Sequence, residues 1–415
     1  VEGAGERMLA DLLDASHLTS LKQLPDIIAA HAKRAGLYDT RIYMVDLQQS
    51  VLRLLTGRDD DRTGVPADVP EEVRVDGTLP GRAFQNVKPH RGGSAEGGRC
   101  HWWLPLLDGT ERLGVLRITM DEGEAESGGA LGAAESLAAL IALLIVSKSP
   151  SSDSLTRLVR TRPMTVSAEM QWRLLPPMTF ANNEMVIAAA LEPAYKLGGD
   201  TFDYGLYGEM VHLGVFDAMG HDTAAGMTSN VAVAAYRNSR VEDGDILENG
   251  RAIEEALIGQ DASGRFVTAV LARLHLRTGL LEWASYGHHP PIVIRGGRWV
   301  TTLDCTPGVP LGTALGLAPE VCTEQLQPGD RVILYTDGVV EARDPRKREF
   351  GLARFVDFII RHDAAGLPVP ETLRRLIRGI LEHHEDRLDD DATVLLVEWH
   401  GPSGLQDSKR AVTAH

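Results

Sequence analysis

The chain has 415 residues, room for two or three domains at ~100–200 residues each. Hydrophobic residues make up 43% and charged residues 24%, which excludes wholesale disorder. Acidic residues outnumber basic ones by 58 to 42, and the formal charge of −16 with no long Lys/Arg run argues against nucleic-acid binding.

The start, Val1-Glu-Gly-Ala-Gly5, has no signal-peptide pattern, and the missing Met reads as a trimmed chain. Leu24, Ile27, Ile28, Ala32 and Ala35 recur at helical spacing before Gly36. Two strand-like stretches follow, Arg41–Asp46 and Val51–Thr56. The polar tract from Gly57 to Gly98, with Asp59-Asp60-Asp61 inside it, reads as a solvated loop. His101–Leu107 and Gly114–Met120 then flank a turn at Asp108-Gly109. The longest apolar run, Leu137–Val146, is too short for a bilayer, which takes ~20 residues. It reads as a buried or subunit-facing helix, and no membrane partner is expected. Cys100, Cys305 and Cys322 are too scattered for a disulfide framework, which points to a reducing, cytoplasmic setting.

This order of elements resembles a GAF-type sensor domain over residues 16–146. The supporting strings are Asp76-Gly-Thr-Leu-Pro-Gly-Arg-Ala-Phe84, Leu104-Pro-Leu106 and Leu113-Gly-Val-Leu116. The resemblance implies an α/β/α sensor or dimerisation domain over 1–146, fed by an unidentified small molecule or protein. Pro150 and Pro163 mark a linker over 147–178, with one short helix, Ser167–Leu175. Residues 179–400 form a second domain of strand-length apolar runs between Gly- and Asp-rich turns, and 401–415 read as a disordered tail. Leu137–Val146 is apolar on nearly all sides, so these helices are expected to pair in a homodimer.

Carboxylates in the second domain sit where strands end. Gly198-Gly-Asp-Thr-Phe-Asp203 follows the strand Met185–Leu191, and Val211–Phe216 ends in Asp217-Ala-Met-Gly-His221. Val332–Tyr335 ends in Thr336-Asp337-Gly338, and Asp389-Asp390-Asp391 precedes Thr393–Trp399. Any one of these is an ordinary turn. Together they suit hard divalent cations, which need several oxygen ligands, with glycine allowing close approach of backbone carbonyls. Two such ions ~3.5–4 Å apart can activate water and clamp a phosphoryl group. Phe266–Leu276 and Leu280–Ser285 read as a hairpin, and Leu373, Leu376, Ile377, Ile380 and Leu381 as a one-sided helical stripe.

The strings around these acids resemble the SpoIIE/RsbU-type bacterial protein phosphatases, metal-dependent serine/threonine enzymes related to the type 2C (PPM) phosphatases. Further matches are Arg265-Phe-Val-Thr-Ala269, Tyr286-Gly-His-His-Pro-Pro291, Pro310-Leu-Gly312, Leu326–Glu341, Phe350-Gly351 and Asp390-Asp-Ala-Thr393. The resemblance implies an α-β-β-α sandwich, hence an α+β chain overall. It implies two Mn²⁺ or Mg²⁺ ions held by Asp200, Asp217, the carbonyl of Ala218, Asp337 and Asp390, with Asp217 bridging. These acids would be catalytic through the ions, with Asp203 and Asp391 as further acids beside them. His221, His288 and His289 invite zinc, but no HxxxH or CxxC accompanies them, and His288 reads as a loop-fixing hydrogen bonder. Asp222 reads as the N-cap of a helix starting at Thr223. The implied activity is hydrolysis of phosphoserine or phosphothreonine on a partner protein through a two-metal-activated water. The family's usual partner is a STAS-type anti-sigma-factor antagonist. The alternative is a catalytically silent phosphoprotein-binding or partner-switching scaffold.

Overall fold

The computed structural model describes residues 2–57, 70–126, 128–196, 198–220, 222–259, 265–342, 348–364, 366–383, 388 and 390–402. The acid run Asp59–Asp61, His221, Asp389 and the tail from 403 lie outside them. The chain divides between Pro163 and Met164 into two compact units.

The first unit runs α1 (Glu2–Ser16), α2 (Leu24–Arg34), β1 (Tyr38–Val45), β2 (Val51–Leu54), β3 (Glu72–Arg74), α3 (Leu79–Asn86), β4 (His90–Ala95), β5 (Arg99–Asp108), β6 (Glu111–Asp121), α4 (Glu122–Glu126), α5 (Gly129–Lys148) and α6 (Asp153–Val159). Its antiparallel sheet has the order β3-β2-β1-β6-β5-β4. Strand alternation sends Leu104, Leu116 and Ile118 against α1, α2 and α5 on one face. Tyr43, Leu52 and Val115 go to the other face, under Phe84 of α3. The layers are therefore α/β/α.

Three expectations for this unit need correcting. The polar tract 57–98 is not all loop: β3, α3 and β4 lie in it. Thr78 caps α3 by accepting the Gly81 N–H, and a Cβ on Gly81 would collide with the Val75 carbonyl, so glycine is required there. Second, the apolar helix expected over 131–146 is α5, and with its flanks, Gly129–Ser151, it reaches mean hydropathy 2.1 and is long and apolar enough to cross a membrane by length and composition, which the ten-residue run was not. Third, a small domain does bury it: Leu137, Ala138, Ile141, Ala142, Leu144 and Ile145 all enter the core. Leu143, 58% exposed, is its one large apolar side chain left at the surface.

The segment read as a linker is shared between the units. Leu155, Leu158 and Val159 of α6 pack on the first core, while Met164, Trp172, Leu175 and Met178 pack on the second.

The second unit runs α7 (Val166–Leu174), β7 (Thr179–Ala181), β8 (Met185–Glu192), β9 (Asp200–Tyr207), β10 (Met210–Ala218), α8 (Thr223–Val241), α9 (Ile246–Gly259), β11 (Val267–His275), β12 (Leu280–Tyr286), β13 (Ile292–Arg295), β14 (Arg298–Thr302), β15 (Cys322–Gln325), β16 (Asp330–Tyr335), α10 (Asp337–Val340), α11 (Leu352–Ala364), α12 (Val369–His383) and β17 (Ala392–Trp399). Two sheets, β15-β12-β11-β10-β9 and β14-β13-β16-β17-β8-β7, face each other. Between them lie Ile187, Phe202, Leu213, Val215, Trp283, Leu334 and Leu395. The opposite face of the first sheet packs Phe216 and Leu271 against Val233 and Ile253 of α8 and α9. The opposite face of the second packs Ile333 and Leu396 against Phe355, Leu373 and Ile377 of α11 and α12. This is the α-β-β-α sandwich.

Cys305 and Cys322 form a disulfide, contrary to the reading of scattered thiols. A framework is not needed for one bridge: the segment after β14 returns to β15 and brings the two together. Within that segment Leu311 pairs with Val267 at the start of β11, and Glu254 of α9 accepts the N–H groups of Gly312 and Ala314.

Candidate metal centre

Strand parity builds the site. Along β10, Leu213 and Val215 point between the sheets while Phe216 points to α8, so Asp217 points between the sheets at the strand end. Asp200, first residue of β9, lies directly opposite Asp217 in the antiparallel register, and Phe202 continues the same inward face. Two carboxylates thus meet at the open end of the sandwich.

The facing sheet supplies the rest. Thr336 follows β16, and its hydroxyl donates to Asp200 Oδ2 at 2.5 Å while accepting the Thr393 N–H at 2.9 Å. Asp391, before β17, accepts the Gly198 N–H at 2.7 Å and the Asp200 N–H at 3.4 Å on Oδ2, tying the two sheets together. Asp390 is exposed beside it and caps the Asp391 N–H at 2.9 Å. Asp337 opens α10. Gly199 lies so close to the Ala218 carbonyl that a Cβ there would sit 2.2 Å from the oxygen, so any side chain would cover that oxygen.

The electrostatics follow from crowding without counter-charge. Burial, then Asp217 and Asp391, hold Asp200 well above the usual carboxylate range. Burial, with Asp337, Asp390 and Asp391 adding, raises Asp217 to about 7. Burial raises Asp391 to about 6 against the opposing Gly198 and Asp200 N–H groups. Among the described residues no Lys or Arg pairs with Asp200, Asp217 or Asp391. An all-oxygen donor set lacking cations fits hard divalent ions such as Mg²⁺ or Mn²⁺.

Asp203 does not join this set. It is three residues from Asp200 and so faces the other way, fully buried against α8. Its Oδ1 accepts from Arg237 at 2.6 Å, and its Oδ2 from Arg240. Both oxygens are taken, and its assignment beside the ions is corrected to an ion pair between β9 and α8.

His288 sits in the turn after β12 and is neutral, lowered to about 4 by burial. Its ring nitrogens meet the Tyr335 carbonyl at 3.0 Å and the Thr268 hydroxyl at 2.8 Å, and Thr268 stands opposite Asp217 across β10 and β11. Asp222 caps α8 through the Ala225 N–H at 2.8 Å and pairs with Arg265. Sequence reasoning missed Thr336, Thr268 and Gln171. Gln171 of α7 is fully buried and donates to the carbonyls of Gly198 and Asp200 at 2.9 and 3.1 Å. Its only sequence signal was a helix placed just before Pro176-Pro177.

Residues 208–400 match the family model described as Stage II sporulation protein E (SpoIIE). Phosphoserine phosphatase RsbU of Bacillus subtilis (strain 168) is 23% identical over 245 residues, covering 56% of this chain and 68% of RsbU. The second unit carries a SpoIIE-family phosphatase domain of the PP2C type. Protein IcfG of Synechocystis is 26% identical over 137 residues, 32% of this chain and 20% of IcfG. The solved RsbU and RsbW domains of a Mycobacterium tuberculosis protein are 24% identical with TM-score 0.47, covering 55% of this chain and 64% of that one. The acids Asp217, Asp337, Asp390 and Asp391, and the carbonyl-bearing Ala218, lie within the SpoIIE-family match, and Asp200 lies just before it.

Proposed function

We propose that the SpoIIE-family domain of this chain hydrolyses phosphoserine or phosphothreonine on a partner protein. The observation that carries this is the buried pair Asp200–Asp217, cross-strand neighbours held above their usual range with no cationic partner among the described residues. Asp200, Asp217, the Ala218 carbonyl, Asp337 and Asp390 would hold two Mn²⁺ or Mg²⁺ ions, with Asp391 fixing the Gly198–Asp200 backbone beside them. Bound there, the ions supply electrophilic stabilisation of phosphoryl oxygens and lower the pKa of water. Thr336 orients Asp200, and His288 with Thr268 positions the Asp217 side of the site.

The partner we propose is a phosphorylated STAS-type anti-sigma-factor antagonist, supported by the likeness to RsbU, with the GAF-like first unit as the regulatory input. A cytoplasmic setting rests on that partner, since the Cys305–Cys322 bridge removes the thiol argument. A homodimer through α5 would have to use Leu143 and the half-buried Leu140 and Val146, a smaller patch than the apolar run implied.

The test is phosphate release by the full chain from phosphoserine STAS-domain proteins, with and without Mn²⁺. Release should require Mn²⁺ and vanish in Asp217→Asn with unchanged far-UV circular dichroism. Full activity in that variant removes the reading. Binding of the phosphoprotein without release favours the silent scaffold.

A further inference from the structure

Cys305 and Cys322 are bonded to each other, and a third donor stands beside them. A carboxylate oxygen of Glu320 and the two sulfurs all fall within 4.8 Å of one another. We propose that, once the bridge is reduced, Cys305, Cys322 and Glu320 bind one Zn²⁺ ion, so that the pair alternates between a disulfide and a metal site.

The backbone keeps these donors together whether or not the sulfurs are bonded. On the Cys305 side, the Leu303 N–H donates to the Pro291 carbonyl and the Gly308 N–H to the Ser285 carbonyl, both at 2.8 Å. On the other side, Cys322 stands in the β12–β15 ladder opposite Trp283. The Glu320 N–H donates to the Thr306 carbonyl at 3.2 Å, which ties one arm to the other. Opening the sulfur–sulfur bond therefore leaves both arms anchored, with the cysteine Cα atoms 6.1 Å apart. A tetrahedral ion about 2.3 Å from each thiolate sets two sulfurs about 3.8 Å apart. Side-chain rotation alone spans that gap.

The donor set decides the class of ion. Two thiolates select Zn²⁺ over the hard ions suited to the Asp200–Asp217 centre, and a carboxylate oxygen adds a third ligand. Glu320 is exposed, and among the described residues no Lys or Arg pairs with it. The fourth position is left to water. The sulfurs are half-buried, within reach of a soluble dithiol. That reductant gives two electrons and two protons to the bridge and leaves as its own disulfide. Two thiols result, and Zn²⁺ displaces their two protons to solvent. In a reducing compartment a cysteine pair serves metal binding more readily than bridging, so the ion closes the base of the 305–322 segment where the disulfide is open.

The probes are Zn²⁺ and Co²⁺, the latter because thiolate ligation gives it a near-ultraviolet charge-transfer band that carboxylates do not. Metal-free full-length chain is compared in its oxidised form and after anaerobic reduction with a phosphine, which unlike a dithiol does not compete for the ion. Cys100, buried in the first unit, supplies no competing pair. The reduced chain should show the Co²⁺ band and, by equilibrium dialysis, bind one more Zn²⁺ than the oxidised chain. Cys305→Ser should lose both signals. Glu320→Gln, a surface substitution, should keep the band but bind Zn²⁺ at least about tenfold more weakly, the low end of what losing even a supporting partner costs. Asp217→Asn should keep the band, so this site and the Asp200–Asp217 reading fail separately. Equal Zn²⁺ counts in oxidised and reduced chain, a band that survives in Cys305→Ser, or unchanged Zn²⁺ affinity in Glu320→Gln would overturn the proposal.

Discussion

Thr336 Oγ1 donates a 2.5 Å hydrogen bond to Asp200 Oδ2 and accepts the Thr393 N–H at the same atom. One hydroxyl therefore joins the end of β16 to the starts of β9 and β17, and its single proton fixes one oxygen of a carboxylate proposed to hold metal. Valine has the same shape without the proton. Thr336→Val is expected to weaken Mn²⁺ binding by about 10–100-fold, as losing the orienting partner of a ligand does, and Thr336→Ser to restore it. Calorimetric titration of the metal-free chain reads this directly. Equal affinity in the valine variant would show that Asp200 needs no orientation.

Asp203 and Asp200 should behave oppositely. Asp203→Asn leaves the guanidinium of Arg240, 14% exposed, without its carboxylate, and breaking a buried pair from one side should cost about 3 kcal/mol. Its Mn²⁺ stoichiometry should be intact. Asp200→Asn should lose metal with little change in thermal midpoint. Melting curves with metal analysis on both variants distinguish the two roles, and metal loss in Asp203→Asn contradicts the parity argument.

Acid should act through His212. Burial lowers it to about 4, with Arg240 of α8 and Arg273 of β11 adding and Asp243 opposing. An unfolded histidine titrates near 6.5, so below that pH the unfolded chain takes up the proton first. The stability tied to neutral His212 is complete above about pH 6.5, is lost progressively as pH falls toward about 4, and declines no further below that. His212→Asn should shrink that acid loss by up to about 3 kcal/mol, read as urea midpoints at pH 7 and pH 4.5. Parallel losses in both proteins would point to another group.

A catalytic fragment should begin at Met164 rather than at Thr179. Gln171 alone satisfies two buried carbonyls beside Asp200, and Trp172 donates its indole N–H to the Ala194 carbonyl at 2.7 Å. Residues 164–402 are expected to fold and bind Mn²⁺, whereas 179–402 should melt lower and lose Mn²⁺-dependent turnover. Within the full chain, Gln171→Leu should cost about 1–3 kcal/mol for the carbonyls left unpaired. A 179–402 fragment as active as the longer one would refute this.

The sandwich was legible through the family resemblance of the strings around the acids, and the hairpin over 266–285 and the one-sided stripe of Leu373, Leu376 and Ile377 agreed with it. Asp217 and Asp337 could be picked out from the same strings. Asp203 was misplaced because Gly198–Asp203 reads as a turn, and alternation separates Asp200 from Asp203 only once β9 is known to start at Asp200. The tract 57–98 hid α3 because its helix depends on Gly81 fitting against Val75, a tertiary contact without a local signal. The Cys305–Cys322 pairing depends on a loop path that spacing does not encode.

The segment between Cys305 and Cys322 is closed at its base by the bridge and clamped part-way by Val267 and Glu254. Beyond the clamp, Leu315 and Leu317 stand 62% and 63% exposed on either side of Gly316. That tip is mechanically insulated from β11, so residues can be inserted or exchanged there while Thr268 keeps its place opposite Asp217. It is the natural spot to graft an epitope or a fluorophore without disturbing the carboxylates.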